Sequence, residues 1–209
     1  RLAVVLLTAA VVLLLSGTLA AAELSGHLEV GVREVDQSGT DYKYDQHVNL
    51  KSGARVFDLA LEYAAEASDA LAPETISVRA SGLGGDPYQW LQVRASNRRH
   101  WDFSYQRWES VYLYEDLLRD PASFDPESSS GGDFHQFDLD RRRESAELNV
   151  RFNEQLTFGL DFRRSANTGT ATTVLDVSRE EFLLDARVDD SSDEIEVSVD
   201  YEWERTRLS

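Results

Sequence analysis

The 209-residue chain has no cysteine and no methionine. Without cysteine there is no disulfide scaffold, no thiolate metal site, no cysteine nucleophile and no C-x-x-C-H motif by which the chain would attach c-type haem to itself. Positive charge is scarce: 21 Lys and Arg stand against 38 Asp and Glu, a net charge of −17 at pH 7. That balance argues against nucleic acid as a partner. The missing methionine, even at position 1, leads us to expect that the natural start lies upstream. A sustained 3.6-residue apolar stripe is also absent, which argues against helices as the main element. Hydrophobic residues still make up 42% and aromatics 10%, so the chain is unlike a disordered acidic tail.

What is present begins with Arg1 and an apolar run, Leu2 to Leu15, followed by Ser16, Gly17, Thr18 and Ala20-Ala21-Ala22, after which Glu23 opens a polar sequence. A charged, then apolar, then small-residue order is that of a secretory signal peptide. The run is shorter than the roughly 20 residues needed to cross a bilayer as a helix. The expected organisation is therefore a signal-peptide helix over 1–22, cleaved after Ala22, and a mature part over 23–209. Export without cysteine suits a bacterial envelope better than a eukaryotic secretory path.

From Leu24 onward the period is two. Leu24, Gly26, Leu28, Val30 and Val32 alternate with Ser25, His27, Glu29, Gly31 and Arg33. The same alternation places Phe57, Leu59, Leu61 and Tyr63 on one side, then Ile76, Val78 and Ala80, then Leu91, Val93 and Ala95, then Trp101, Phe103 and Tyr105. It returns at Ala146, Leu148, Val150 and Phe152, at Leu156, Phe158, Leu160 and Phe162, and at Ile195, Val197, Val199, Tyr201 and Trp203. Each segment reads as a strand wet on one side. Eight such segments predict an all-β, antiparallel fold of about eight meandering strands.

The connections divide by length. Asn153-Glu154-Gln155, 96–99 and 66–73 are short, whereas 37–54, 115–133 and 167–191 are long and rich in Asp, Ser, Gly and Thr, with Gly84-Gly85-Asp86-Pro87 a compact exception. Alternating strand direction puts the short set on one side and the long set on the other. Short periplasmic turns and longer outer loops describe a transmembrane β-barrel. A soluble sandwich alternates too, but turns its apolar face into a core. Trp101, Tyr105, Tyr112, Tyr114, Tyr201 and Trp203 lie near the expected strand ends, as an interfacial girdle would place them, although Tyr and Trp favour strands in any case.

Candidate sites are few. His27, His47, His100 and His135 lack metal-ligand spacing, and read as strand or loop residues. Asp189, Asp190, Asp193 and Glu194 crowd an expected outer loop (189–194), where oxygen ligands for calcium are conceivable, but the EF-hand spacing and glycine are missing and a solvated loop is the plainer reading. No G-x-S-x-G or other nucleophile constellation appears, so we expect no enzyme and assign no catalytic, cofactor-binding or metal residue. Arg141-Arg142-Arg143, bracketed by Asp138, Asp140 and Glu144, reads as neutralised charge. Glu115–Arg119 and Glu180–Ala186 contain enough Leu and Glu for a helical turn or two within loops.

Several segments resemble the MtrB/PioB family of decahaem-associated outer-membrane β-barrel proteins. They are Gly31-Val32-Arg33 with Asp36, Ser38-Gly39, Lys43-Tyr44 and Gln46; the Gly82-Leu83-Gly84-Gly85-Asp86-Pro87-Tyr88 run; Tyr105 to Tyr114 with Arg107; Arg163-Arg164-Ser165 with Thr168-Gly169; and Arg179-Glu180-Glu181-Phe182. Members are much longer, so the resemblance implies an amino-terminal fragment, an incomplete curved sheet from a larger barrel. It further implies a place in the bacterial outer membrane, contact with lipid, and a role as sheath for a multihaem c-type cytochrome, whose haem would belong to that partner. Some members carry a paired-cysteine motif that this chain lacks. A diffusion porin, or a soluble envelope β-sandwich that binds a ligand, are the alternatives.

Overall fold

The computed structural model describes residues 22–39, 41–65, 71–115, 136–177 and 180–203. Among the described residues the chain is all-β apart from one short helix: β1 (Ala22–Arg33), α1 (Asp41–His47), β2 (Gly53–Ala65), β3 (Thr75–Leu83), β4 (Tyr88–Asn97), β5 (Trp101–Glu115), β6 (Gln136–Arg151), β7 (Leu156–Val177) and β8 (Glu180–Tyr201). The eight strands form one open antiparallel sheet in the order of the chain, β1 to β8. This is the meander that eight alternating segments joined by direct connections produce. Of the expected leader, only Ala22 is described, and it opens β1; 1–21 lie outside the described residues. The connection 116–135, with His135, lies outside them too.

Two short turns at one end of the sheet use the same chemistry. Asn97 is buried, and its Oδ1 accepts from the backbone N–H of Arg99 at 3.1 Å and of His100 at 3.2 Å. Asn153 Oδ1 accepts from Gln155 and Leu156 N–H, both at 2.8 Å. An asparagine side chain that satisfies the backbone two and three residues on imitates a turn and closes a hairpin.

At the other end two connections are long, 34–52 and 116–135, whereas β3 to β4 and β7 to β8 are joined by only four and two residues. The expected loop 37–54 contains α1, which stops where Asn49 adopts φ 47°, the left-handed conformation common just past a helix end. The helix lies against β5, three strands from β2 in the sheet order. It therefore reaches across β3 and β4 at the end of the sheet that carries the longer connections.

The stretch 167–191 is not a loop. β7 runs to Val177 and β8 begins at Glu180, so these residues form two long paired strands. Glu180–Ala186 accordingly belongs to β8 and not to a helical turn. Glu115 ends β5, and 116–119 fall outside the described residues.

One register break matters. Glu29 pairs with Asp58 and Val30 with Val56, leaving Phe57 as the extra residue of a β-bulge. Val56 then packs with Leu59, Val78, Ala80 and Leu91. Phe57 instead lies against Gly31 and beneath the Arg33 guanidinium, 5.3 Å from its ring. The side expected for Phe57 from simple alternation is thus reversed, because a bulge inserts a residue without a partner and shifts the pleat by one.

Candidate functional site: two faces of one sheet

Direct cross-strand partners share a face, so the register sorts every strand residue onto one of two faces. We name them after Leu28 and its neighbour His27.

On the Leu28 face, the partners Leu24, Tyr63, Ile76, Ala95, Phe103, Leu148, Leu160 and Val197 make one apolar row across all eight strands. The next row is Gly26, Leu61, Val78, Val93, Tyr105, Ala146, Phe162 and Ile195, again without a charge. The third changes character midway. Leu28, Leu59, Ala80 and Leu91 continue it on β1 to β4, but β5 to β8 supply Arg107, Glu144, Arg164 and Asp193. Arg107 and Glu144 are 3.9 Å apart, Arg164 and Asp193 3.6 Å.

The apolar band therefore runs obliquely across the rows. On β1 it spans Leu24–Val32 and centres on Leu28; on β8 it spans Ile195–Trp203 and centres on Val199, about six residues below the row that holds Leu28. Six residues over seven strand steps, at about 3.4 Å per residue and about 4.8 Å between strands, inclines the band by about 30° to the rows, so the strands lean about 30° from the normal to the band. Leu24–Val32 is about 27 Å long on the same rise, or about 24 Å normal to the band.

No second sheet covers this band among the described residues. Leu28 is 58% exposed and Val197 59%. Only the centre, Leu59, Val78, Ala80 and Leu91, is buried, with Leu61, Ile76, Val93 and Tyr105 packed around it.

The His27 face is polar over the same height. One row is Ser25, Glu62, Ser77, Arg94, Ser104, Glu147, Asp161 and Glu196; the next is His27, Ala60, Arg79, Gln92, Gln106, Ser145, Arg163 and Glu194. Carboxylates outnumber guanidinium groups on it. Arg79 bonds Glu62 at 2.8 Å, and Arg163 lies 3.5 Å from Glu194.

Beyond the band, the faces redistribute residues that the sequence had grouped. The expected acidic loop is part of β8, so Asp189 and Asp193 point to the Leu28 face while Asp190 and Glu194 point to the other. Carboxylates split between two faces of a strand do not converge on one cation, and no cluster of three or more metal-binding side chains occurs among the described residues. His27, His47 and His100 lie in β1, at the end of α1 and in the turn before β5.

The arginine triple is divided too. Arg142 shares the Leu28 face with Asp138, Asp140 and Glu144, and bonds Glu109 at 3.1 Å. Arg141 and Arg143 lie on the opposite face, away from those acids. Arg141 stacks over Tyr112 at 5.1 Å, and Arg143 donates to Asn167 Oδ1 at 3.2 Å. They are not neutralised by their sequence neighbours. Of the expected girdle, Trp101, Tyr105 and Tyr201 point to the Leu28 face with Trp203 packed edge-on at 5.4 Å to Tyr201, whereas Tyr112 and Tyr114 point to the His27 face.

The glycine-rich run closes the β3–β4 hairpin. Gly82, Gly84 and Gly85 have φ of 70°, 113° and 111°, which side chains other than glycine rarely adopt. The turn places Asp86 between two arginines: Arg55 Nε donates to its Oδ1 at 3.0 Å, and Arg33 bonds the same oxygen. Arg55 also donates to the Ala54 and Lys51 carbonyls at 2.9 and 2.5 Å. This is a structural clamp that ties β1, β2 and the turn together, and sequence reading had not singled out its arginines as partners.

The chain matches no family model, no curated protein and no solved structure.

Proposed function

We propose that the sheet is part of a β-barrel in the bacterial outer membrane, its Leu28 face against lipid and its His27 face lining an aqueous lumen. The observation that carries this reading is the oblique apolar band. A band parallel to the strands' own rows would suit a flat sheet on a core. One inclined by about 30° is close to the 35–45° tilt of strands in membrane barrels, and a height of about 24 Å is close to the roughly 25 Å of their apolar belt. Charges begin where the band ends, at Arg107, Glu144, Arg164 and Asp193. The edges of β1 and β8 are unpaired among the described residues. In lipid each would need a further strand, since backbone groups without partners are not tolerated there.

On this reading the lumen holds a multihaem c-type cytochrome, the partner that the resemblance to the MtrB/PioB family suggests. The partner's haem groups would carry electrons. This chain's contribution is position and insulation: its acidic lumen face attracts a cationic surface, and its apolar face excludes water and ions from the surrounding bilayer. The test is detergent extraction of the full-length protein from its own outer membrane. Haem that co-purifies in stoichiometric amount supports the sheath. Ion conductance in planar bilayers without any haem partner favours the porin instead, and recovery in the salt-washed soluble fraction removes the membrane reading altogether.

A further inference from the structure

The His27 face carries one feature that a lumen wall does not need. Trp90 and Trp108 are direct partners on β4 and β5, each 40% exposed on a face that is polar elsewhere over the band. Beside them, Ser145, Ser165 and Ser192 on β6, β7 and β8 are short enough to leave a trough. The result is a cleft of about 440 Å³, walled by the two indoles at one end and by Arg143, Arg163 and Glu194 toward the other. A volume of this order suits one or two ligand rings.

The polar groups here have little else to do. Gln92, Gln106 and the three serines make no side-chain hydrogen bond among the described residues. Arg143 has no carboxylate within salt-bridge distance among them, because Glu144 and Arg142 point to the other face and its bonds go to Asn167 and backbone carbonyls. Arg163 is shared with Glu194. A cation without a counter-charge selects an anion, and a guanidinium matches a carboxylate in a two-point fork. Indole faces give flat apolar contact. Five free hydroxyl and amide groups call for a ligand rich in hydroxyls, which a purely aromatic acid is not.

We propose that this cleft binds an acidic carbohydrate of one or two rings, stacked on Trp90 and Trp108 with its carboxylate at Arg143. The inference does not rest on the cytochrome reading, but a partner filling the lumen would cover the cleft, so the titration uses protein freed of any haem partner.

The experiment is titration of detergent-solubilised full-length protein with digalacturonate, read by tryptophan fluorescence. Saturable binding is expected, weakened about tenfold or more in Trp108→Ala and in Arg143→Gln, the usual scale for loss of a central contact, and largely kept in Arg143→Lys. Arg143 is exposed, so its variants keep the test open if Trp108→Ala does not fold. Cellobiose should bind at least tenfold more weakly, and benzoate likewise. Absence of saturable digalacturonate binding, equal affinity for cellobiose or for benzoate, or indifference to Arg143→Gln would each overturn the proposal.

Discussion

Arg107 on β5 stands directly opposite Glu144 on β6, one step above the apolar pair Tyr105 and Ala146 on the same face. That single step is where the surface changes from greasy to charged on the second half of the sheet. If the lower side meets lipid, an arginine placed there must cost far more than one placed above. Leu160→Arg, within the first apolar row, is expected to lower stability in phospholipid vesicles by about 2–4 kcal/mol, and Thr168→Arg, between Asp140 and Asp189, by about 0–1 kcal/mol. Urea unfolding of both variants in vesicles measures the difference. Equal costs would mean that the band does not face acyl chains.

The clamp at Asp86 is expected to be worth more than an ordinary surface pair. The Arg55 side chain is only 3% exposed, and removing the charge it faces leaves a buried cation without its partner. Asp86→Asn should destabilise the protein by about 3 kcal/mol, the scale for a broken buried pair. Arg33→Gln should cost less than Arg55→Gln, because Arg33 is nearer solvent. Denaturant midpoints of the three variants, taken under one condition, check the order.

Two glycines separate backbone strain from collision. A Cβ on Gly84 would meet the Ala54 carbonyl oxygen at 2.6 Å, whereas one on Gly39 meets nothing within 4 Å; φ is positive at both. Gly39→Ala is expected to cost about 1 kcal/mol from conformation alone. Gly84→Ala should cost clearly more, since the oxygen belongs to backbone already held in the β1–β2 pairing. Thermal unfolding of the pair resolves the two contributions.

These 209 residues hold no cysteine, so single cysteines introduced into them report topology once any cysteine elsewhere in the full-length protein is replaced. Single cysteines at Glu154, in the short β6–β7 turn, and at Gly39, in the long connection after β1, should respond oppositely to a membrane-impermeant maleimide on intact cells. Gly39→Cys is expected to label and Glu154→Cys to stay unlabelled until the outer membrane is opened. The reverse pattern would invert the proposed barrel in the membrane.

The strands of the lower half were legible because one face is apolar and the other is not, so a period of two shows directly in the residues. Above Arg107 and Asp193 neither face is consistently apolar. The backbone ladder continues through Thr168, Thr170 and Asp190 with no hydrophobic alternation to announce it, and a stretch rich in Asp, Ser and Thr imitates a loop. The same loss of contrast hid the division of Arg141-Arg142-Arg143: in sequence Arg143 adjoins Glu144, but neighbours along a strand face opposite ways. Phe57 was misplaced for a different reason. A bulge is a property of the pair, and the partner strand is not visible in the residues of β2 alone. The Trp90–Trp108 cleft needed two strands in register and three serines from three others, a juxtaposition that only the fold supplies.

The long β7–β8 hairpin rises about 50 Å along the strand from Ile195 to its tip at Glu180, at about 3.4 Å per residue. At physiological ionic strength charges lose sight of one another beyond about 8 Å. If the sheet closes into the proposed barrel with this hairpin outward, a visitor from outside the cell would touch the palisade many screening lengths before it could sense the carboxylates deep in the channel. Capture at the rim and selection in the throat would then be separate events, each open to adjustment without disturbing the other.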